Sequence, residues 1–148
     1  MPLAELNCWR TPISDLSPLQ GTPLRYLSCW GTQVSDLTPL KGMPLKELYC
    51  FGTPVSDLSP LQGMALTHLE CGNSQVADLS PLDGMPLTWL KCSGTRVSDL
   101  SPLKGMPLES LWIPDVSAEN VAILREIRSL KQINGKPAAE YWKSRPAN

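Results

Sequence analysis

The chain has 148 residues, with thirteen Lys and Arg against fourteen Asp and Glu and a formal charge of −1. That length suits one compact domain, and a near-neutral chain with no run of like charge argues against nucleic acid or an anionic membrane surface as partner. Apolar stretches are short and cut by Pro, Gly or charge, so none reads as a bilayer span or signal peptide, and five Cys, odd for a disulfide framework, point to free thiols in the cytoplasm.

Cys8, Cys29, Cys50, Cys71 and Cys92 stand 21 residues apart, and the same spacing carries Asp15, Asp36, Asp57, Asp78 and Asp99. A fixed period of this length marks a solenoid of stacked units. Five full units run 1–21, 22–42, 43–63, 64–84 and 85–105, and a sixth begins at Met106 and loses the pattern after Ile113. The third, MPLKELYCFGTPVSDLSPLQG, represents them all.

In the second unit, Tyr26-Leu27-Ser28-Cys29-Trp30 alternates core-type residues with others, the period of a strand with one buried face. Leu27 and Cys29 point inward, whereas Tyr26, Ser28 and Trp30 point outward. Thr38-Pro39-Leu40-Lys41-Gly42 then reads as a hydroxyl cap, a proline at the first helical position, one 3₁₀ turn, and a glycine that leaves through a left-handed conformation. Leu24, Leu27, Cys29, Val34, Leu37 and Leu40 form the inward set. So few side chains do not offset the entropy of ordering a whole unit, so a coil is stable only against its neighbours.

Past the repeats, residues 118–130, AENVAILREIRSL, carry Val121, Leu124, Ile127 and Leu130 at helical spacing, with Ser117 placed to cap the start. Gln132-Ile133-Asn134-Gly135 reads as a turn, and 137–143 as a second short helix whose Tyr141 and Trp142 pack back on the first. The expected organisation is five full repeats and a partial sixth over 1–113, then a C-terminal helical cap over 114–148. No comparable cap precedes Met1-Pro2-Leu3, which is in register with Met43-Pro44-Leu45. The first strand, near residues 5–9, should expose its edge, either to a second copy in a homodimer or to the rest of a longer protein.

The pattern Leu-x-x-Leu-x-Cys, then Thr or Ser, Val or Ile, Asp-Leu-x-Pro-Leu and Gly resembles the leucine-rich repeat family. Its short unit and Asp-Leu-x-Pro-Leu half are similar to the bacterial internalin-like subclass, with Cys at the third leucine and Thr or Ser at the usual asparagine. The segment LREIRSLKQINGKPAAEYWK at 124–143 is similar to the tail that follows such repeats in planctomycete proteins, some of which carry kinase or WD-repeat domains. This resemblance implies an α/β solenoid: a leucine-rich repeat horseshoe with a parallel β-sheet on the concave face, 3₁₀ or short helical turns on the convex face, and an α-helical C-terminal cap.

Stacking at about 4.8 Å turns each repeated residue into a ladder. The cysteine ladder could be a metal tape or a row of disulfides, but inward thiols in single file offer no tetrahedral set, and neighbouring parallel strands seldom orient both sulfurs for a bond. A small core hydrophobe is the expected role. The aspartates could hold calcium, yet no glycine-rich nonapeptide accompanies them, and each precedes a turn whose amides it can accept. Thr11, Thr32, Thr53, Ser74 and Thr95 should satisfy turn backbone from inside the coil. His68 faces outward near Glu47, Glu70 and Trp89 and is conceivable as a general base. No outward nucleophile, phosphate loop or dry pocket accompanies it. The expectation is no enzymatic activity, no metal and no cofactor.

Of the nine aromatic residues, Tyr141 and Trp142 belong to the cap. The other seven all fall on outward strand positions: Trp9, Trp30 and Phe51 in one column, Tyr49 and Trp112 in the next, Tyr26 and Trp89 in the third. Trp9, Tyr26, Trp30, Tyr49 and Phe51 are expected to form one cluster on the first three strands. Trp and Tyr commonly anchor interfaces, and Arg25, Lys46, Glu47, Glu70 and Lys91 could supply a polar surround. The expected function is therefore a protein- or peptide-binding scaffold, with Trp9, Tyr26, Trp30, Tyr49, Phe51, His68, Trp89 and Trp112 as partner-binding residues. A structural or assembly module is the alternative, since aromatics suit strands in any case. Carbohydrate stacked on the indoles is third.

Overall fold

The computed structural model describes residues 3–145, so the expected register of Met1-Pro2 lies outside the described residues. Each coil opens with a three-residue strand: β1 Glu5–Asn7, β2 Tyr26–Ser28, β3 Glu47–Tyr49, β4 His68–Glu70, β5 Trp89–Lys91 and β6 Ser110–Trp112. They pair in chain order, all parallel, with equivalent residues opposed, as in Leu27 against Leu48 and Leu48 against Leu69. The amide ladder runs past the short strands, because the Cys29 N–H donates to the Tyr49 carbonyl and the Gly31 N–H to that of Phe51, both at 2.9 Å. The alternation expected through Trp30 holds for that reason.

On the far side of each coil lies one 3₁₀ turn, such as Thr38–Leu40 and Ser59–Leu61, with proline as its second residue. The expected hydroxyl cap is corrected here: the Thr or Ser opens the turn, and the aspartate two residues earlier holds its amide. Asp57 Oδ1 accepts the Ser59 N–H and Oδ2 accepts the Ser59 hydroxyl, both at 2.8 Å. These turns are too tight for a side chain to reach back from within, whereas an Asx-type turn closes two residues ahead. The Ser17 amide and hydroxyl hold the Asp15 carboxyl below its ordinary range, and Ser80 does the same for Asp78. Gly42 then leaves the coil at φ 73°, as expected of a residue that must go left-handed.

The core fills the space between sheet and turns. Leu24, Leu27, Cys29, Val34, Leu37 and Leu40 are all inside, none more than 1% exposed. A further column, Met43, Met64, Met85 and Met106, is also buried. It lies outside any strand period, because the Met43 amide closes onto the Leu40 carbonyl at 3.1 Å and turns the side chain under the coil. All five cysteines are free and buried. Burial pushes the Cys29 thiol up to about 12. The hydroxyls of Thr32, Thr53 and Ser74 donate to the cysteine carbonyls three residues back at 2.5–2.6 Å, the interior turn role expected of that column. Among the described residues, every buried side-chain nitrogen and oxygen has a hydrogen-bond partner.

After β6 the chain forms helix α1, Ala118–Glu126. Ser117 caps it, accepting the Asn120 N–H at 3.3 Å. The helix stops short of residue 130: Ile127 and Leu130 instead bond to residues three back, in tighter turns that still bury both side chains. Gln132 and Ile133, expected in a turn, form strand β7, which adds in parallel to β6 and sets Ile133 against Leu111. The side chain of Ile133 is fully buried, and its burial draws this segment into the sheet. The turn is Asn134-Gly135, both at positive φ, and it leads to antiparallel strand β8, Lys136–Pro137, and to helix α2, Ala138–Lys143. Tyr141 is buried, and α2 packs on β7 and β8; the packing on α1 expected from sequence is limited to Arg125 of α1 over the Trp142 ring at 4.8 Å. Among the described residues no helix is long and apolar enough to cross a membrane.

Candidate functional site

Strand parity decides what the outer face of the sheet displays. Tyr26, Glu47, His68 and Trp89 are opposed across β2 to β5, as are Ser28, Tyr49, Glu70 and Lys91, followed by Trp112 on β6. Trp9, Trp30 and Phe51 extend this surface just beyond the strand ends. Cys29 is fully buried, while its neighbour Trp30 is only half-buried. The cysteine and the indole therefore face opposite ways.

The rings do not form the single cluster expected on the first three strands. They form two strings. Trp9 stacks on Trp30 with centroids 5.5 Å apart, and Trp30 meets Phe51 at 5.9 Å. Tyr26 meets Tyr49 at 5.4 Å, Tyr49 meets Trp89 at 6.2 Å, and Trp89 meets both His68 at 6.2 Å and Trp112 at 5.3 Å. The first string follows one column across adjacent strands, the second runs diagonally between the other two columns, and Ser28, small and buried, lies between the strings on β2. An open depression of about 300 Å³ lies there, walled by Trp9, Trp30, Tyr26 and Tyr49 and reaching Asn7 and Glu70.

Gly72 ends the first string. A β-carbon there would stand 3.1 Å from the Phe51 ring and 2.9 Å from the Ser93 carbonyl, so Phe51 closes over bare backbone. Charged groups fix the ring edges. Arg10 lies over Trp30 at 4.7 Å and Trp9 at 5.3 Å, and Lys91 lies over Phe51 at 5.1 Å while pairing with Glu70 at 2.8 Å. The Tyr49 hydroxyl donates to Glu47 Oε2 at 2.9 Å, and burial together with that carboxylate pushes its pKa well up. Tyr49 is thus a neutral donor with its proton committed.

Of the polar residues expected around the rings, Glu47, Glu70 and Lys91 are there. Arg25 and Lys46 are not: they precede their strands and, with Lys41, line a separate cavity of about 550 Å³ at the strands' N-terminal rim. Arg10 and Gly72 were not singled out from sequence. The repeat itself carried their signal, since Arg10 occupies a column otherwise held by glycine or asparagine and Gly72 one otherwise held by large rings in the preceding coils. His68 Nδ1 lies 3.1 Å from the Thr67 hydroxyl. That hydroxyl also reaches the Lys46 carbonyl, at 3.1 Å.

No protein-family model and no curated protein matches the sequence. Solved structures do. An internalin from Listeria monocytogenes is 28% identical and superposes over 88% of this chain and 41% of its own, with a TM-score of 0.84. Internalin C2 of the same organism is 26% identical over 88% of this chain and 60% of its own, with a TM-score of 0.82. A leucine-rich repeat protein of Leptospira interrogans, 19% identical over 88% and 36% of the two chains at a TM-score of 0.69, shares the fold. The chain therefore spans less than two thirds of each of these proteins. With the parallel strands and 3₁₀ turns above, the likeness shows a leucine-rich repeat solenoid fold, similar to that of the internalins.

Proposed function

We propose that this leucine-rich repeat solenoid is a protein-binding scaffold whose partner, a protein or extended peptide, lies across the aromatic face of the sheet. One observation carries the reading: all seven aromatics of the repeats sit on the outer face, while the core of the repeats is built from Leu, Val, Ile, Met and Cys. Rings in mutual contact lose little entropy on binding and present apolar area with polar edges, which is how interface anchors work. Sugar stacking is less well served. Trp30 has Trp9 and Phe51 as ring neighbours and Arg10 above it, so little of its face is open.

Selection of a displayed random-peptide library on the folded protein tests this. Enriched peptides should lose binding to Trp30→Ala and to Tyr49→Ala and keep it to Gln20→Ala, on the turn side, with folding followed by circular dichroism. Peptides indifferent to both ring substitutions refute it. A second reading, self-association along β1, is favoured by three large apolar side chains exposed on the first coil: Leu3 48%, Trp9 47% and Ile13 38%. Sedimentation equilibrium decides it, since a mass that stays monomeric as concentration rises rules it out.

A further inference from the structure

The cavity at the N-terminal rim of the sheet lies where the repeat departs from its own rule. The second residue of the unit is Pro23, Pro44, Pro86 and Pro107, but in the fourth unit it is Ala65. Ala65 omits a ring beside Pro44, and the space it lines holds about 550 Å³ above the buried Met43 and Met64. Three cations converge on it, Arg25, Lys41 and Lys46, with no carboxylate in the lining. The ion pairs of the described residues engage Lys91, Lys104, Lys131 and Arg145, and none of these three. Lys46 reaches across the floor, its Nζ donating to the Ala65 carbonyl at 3.3 Å.

Three unpaired cations at one mouth repel each other, and in a chain of formal charge −1 this cannot be a by-product of a basic composition. The volume falls within the range of ligand pockets, and methionine gives a floor that adapts to the shape of what enters. We propose that this cavity receives acidic side chains, Asp or Glu, of the protein or peptide partner. Arg25 and Lys46 in its lining directly precede Tyr26 and Glu47, the first residues of β2 and β3, which puts the cavity beside the N-terminal end of the aromatic face. The inference extends the peptide-binding reading and rests on it for the kind of partner.

Methyl NMR on the full chain tests it, with Met43 and Met64 as reporters in the cavity floor. The probe is a capped Gly-Asp-Glu-Asp-Gly peptide, with Gly-Asn-Gln-Asn-Gly as its neutral counterpart. Expected are saturable shifts at both methyls with the acidic peptide alone, weakened by salt, and a loss of up to about fivefold in affinity for each of Lys41→Gln and Lys46→Gln. The double charge reversal Lys41→Glu with Lys46→Glu is the decisive variant: both are surface side chains outside the ion pairs of the described residues, so it keeps the fold, and it should abolish the shifts by repelling the acidic probe. Binding that survives the double charge reversal, or equal binding of the neutral peptide, overturns the proposal, and so does full displacement by inorganic phosphate at matched ionic strength, which would mark a small-anion site. None of these variants touches the rings. A protein that binds the acidic probe but selects no ring-dependent peptide refutes the aromatic reading alone; the converse refutes only this one.

Discussion

Trp30→Ala separates a display surface from a core. In the structure the indole is half-buried and makes three ring contacts, with Trp9 at 5.5 Å, Phe51 at 5.9 Å and Arg10 at 4.7 Å. Aromatic pairs contribute about 0.5–1.5 kcal/mol each and a largely exposed cation over a ring about 0.5–1, so the substitution should cost about 1.5–4 kcal/mol. A domain of this size has about 5–15 kcal/mol in total, and the variant should stay folded. Urea unfolding followed by far-ultraviolet circular dichroism measures the loss as a lower midpoint at unchanged slope. A double-mutant cycle with Phe51→Ala should return a coupling of about 0.5–1.5 kcal/mol. A chain that no longer folds would mean the indole is part of the core, and a loss under about 0.5 kcal/mol would mean that the strings do not stack in solution. Either result refutes the reasoning.

Burial lifts Cys29 and Cys92 to about 12 from an ordinary 9.0, so the folded state keeps thiols protonated where the unfolded chain ionises them. Their contribution to stability is complete below about pH 9 and lost as pH rises toward 12, which unfolding midpoints measured up that range will follow. Native protein should react negligibly with a thiol reagent at neutral pH and expose all five thiols in urea. Asp15 and Asp78 shift the other way: their depressed carboxyl pKa gives stability that is present above the ordinary 3.8 and fades as pH falls through the lower folded value, visible as a drop in Tm on acidification. Asn120 is buried, accepting the Leu100 N–H at 3.1 Å and donating to the Ser98 carbonyl at 2.6 Å. Asn120→Ala leaves both groups unpaired and should cost about 1–3 kcal/mol, with amide exchange at Leu100 accelerating before that of β3.

Asn120 also shows what the repeat left unsaid. It stands 21 residues after Asp99, in step with the aspartate column, but the rest of the pattern is lost after Ile113, and only the docked helix brings its amide to the backbone of the fifth coil. Ile133 was hidden for a similar reason: Asn134-Gly135 is a strong turn signal, and the strand before it is two residues long, too short for alternation to register. The methionine column escaped because its burial follows from a bend after the 3₁₀ turn. The division of the aromatics into two strings was equally invisible, since parity gives the face of a sheet while ring separation depends on side-chain packing within that face.

From the sequence alone the 21-residue period determined that the chain is a stacked solenoid, which residues turn inward, and that the aromatics turn outward. Those properties follow from local spacing, because a coil repeats its backbone path and a strand alternates its side chains every second residue. Tertiary structure decided which outward residues meet: Arg10 over the indoles, Lys91 between Phe51 and Glu70, and Arg25, Lys41 and Lys46 around the gap at Ala65. Each of these groupings joins residues from more than one coil, and their distances are set by the stacking of whole units, which no single unit encodes.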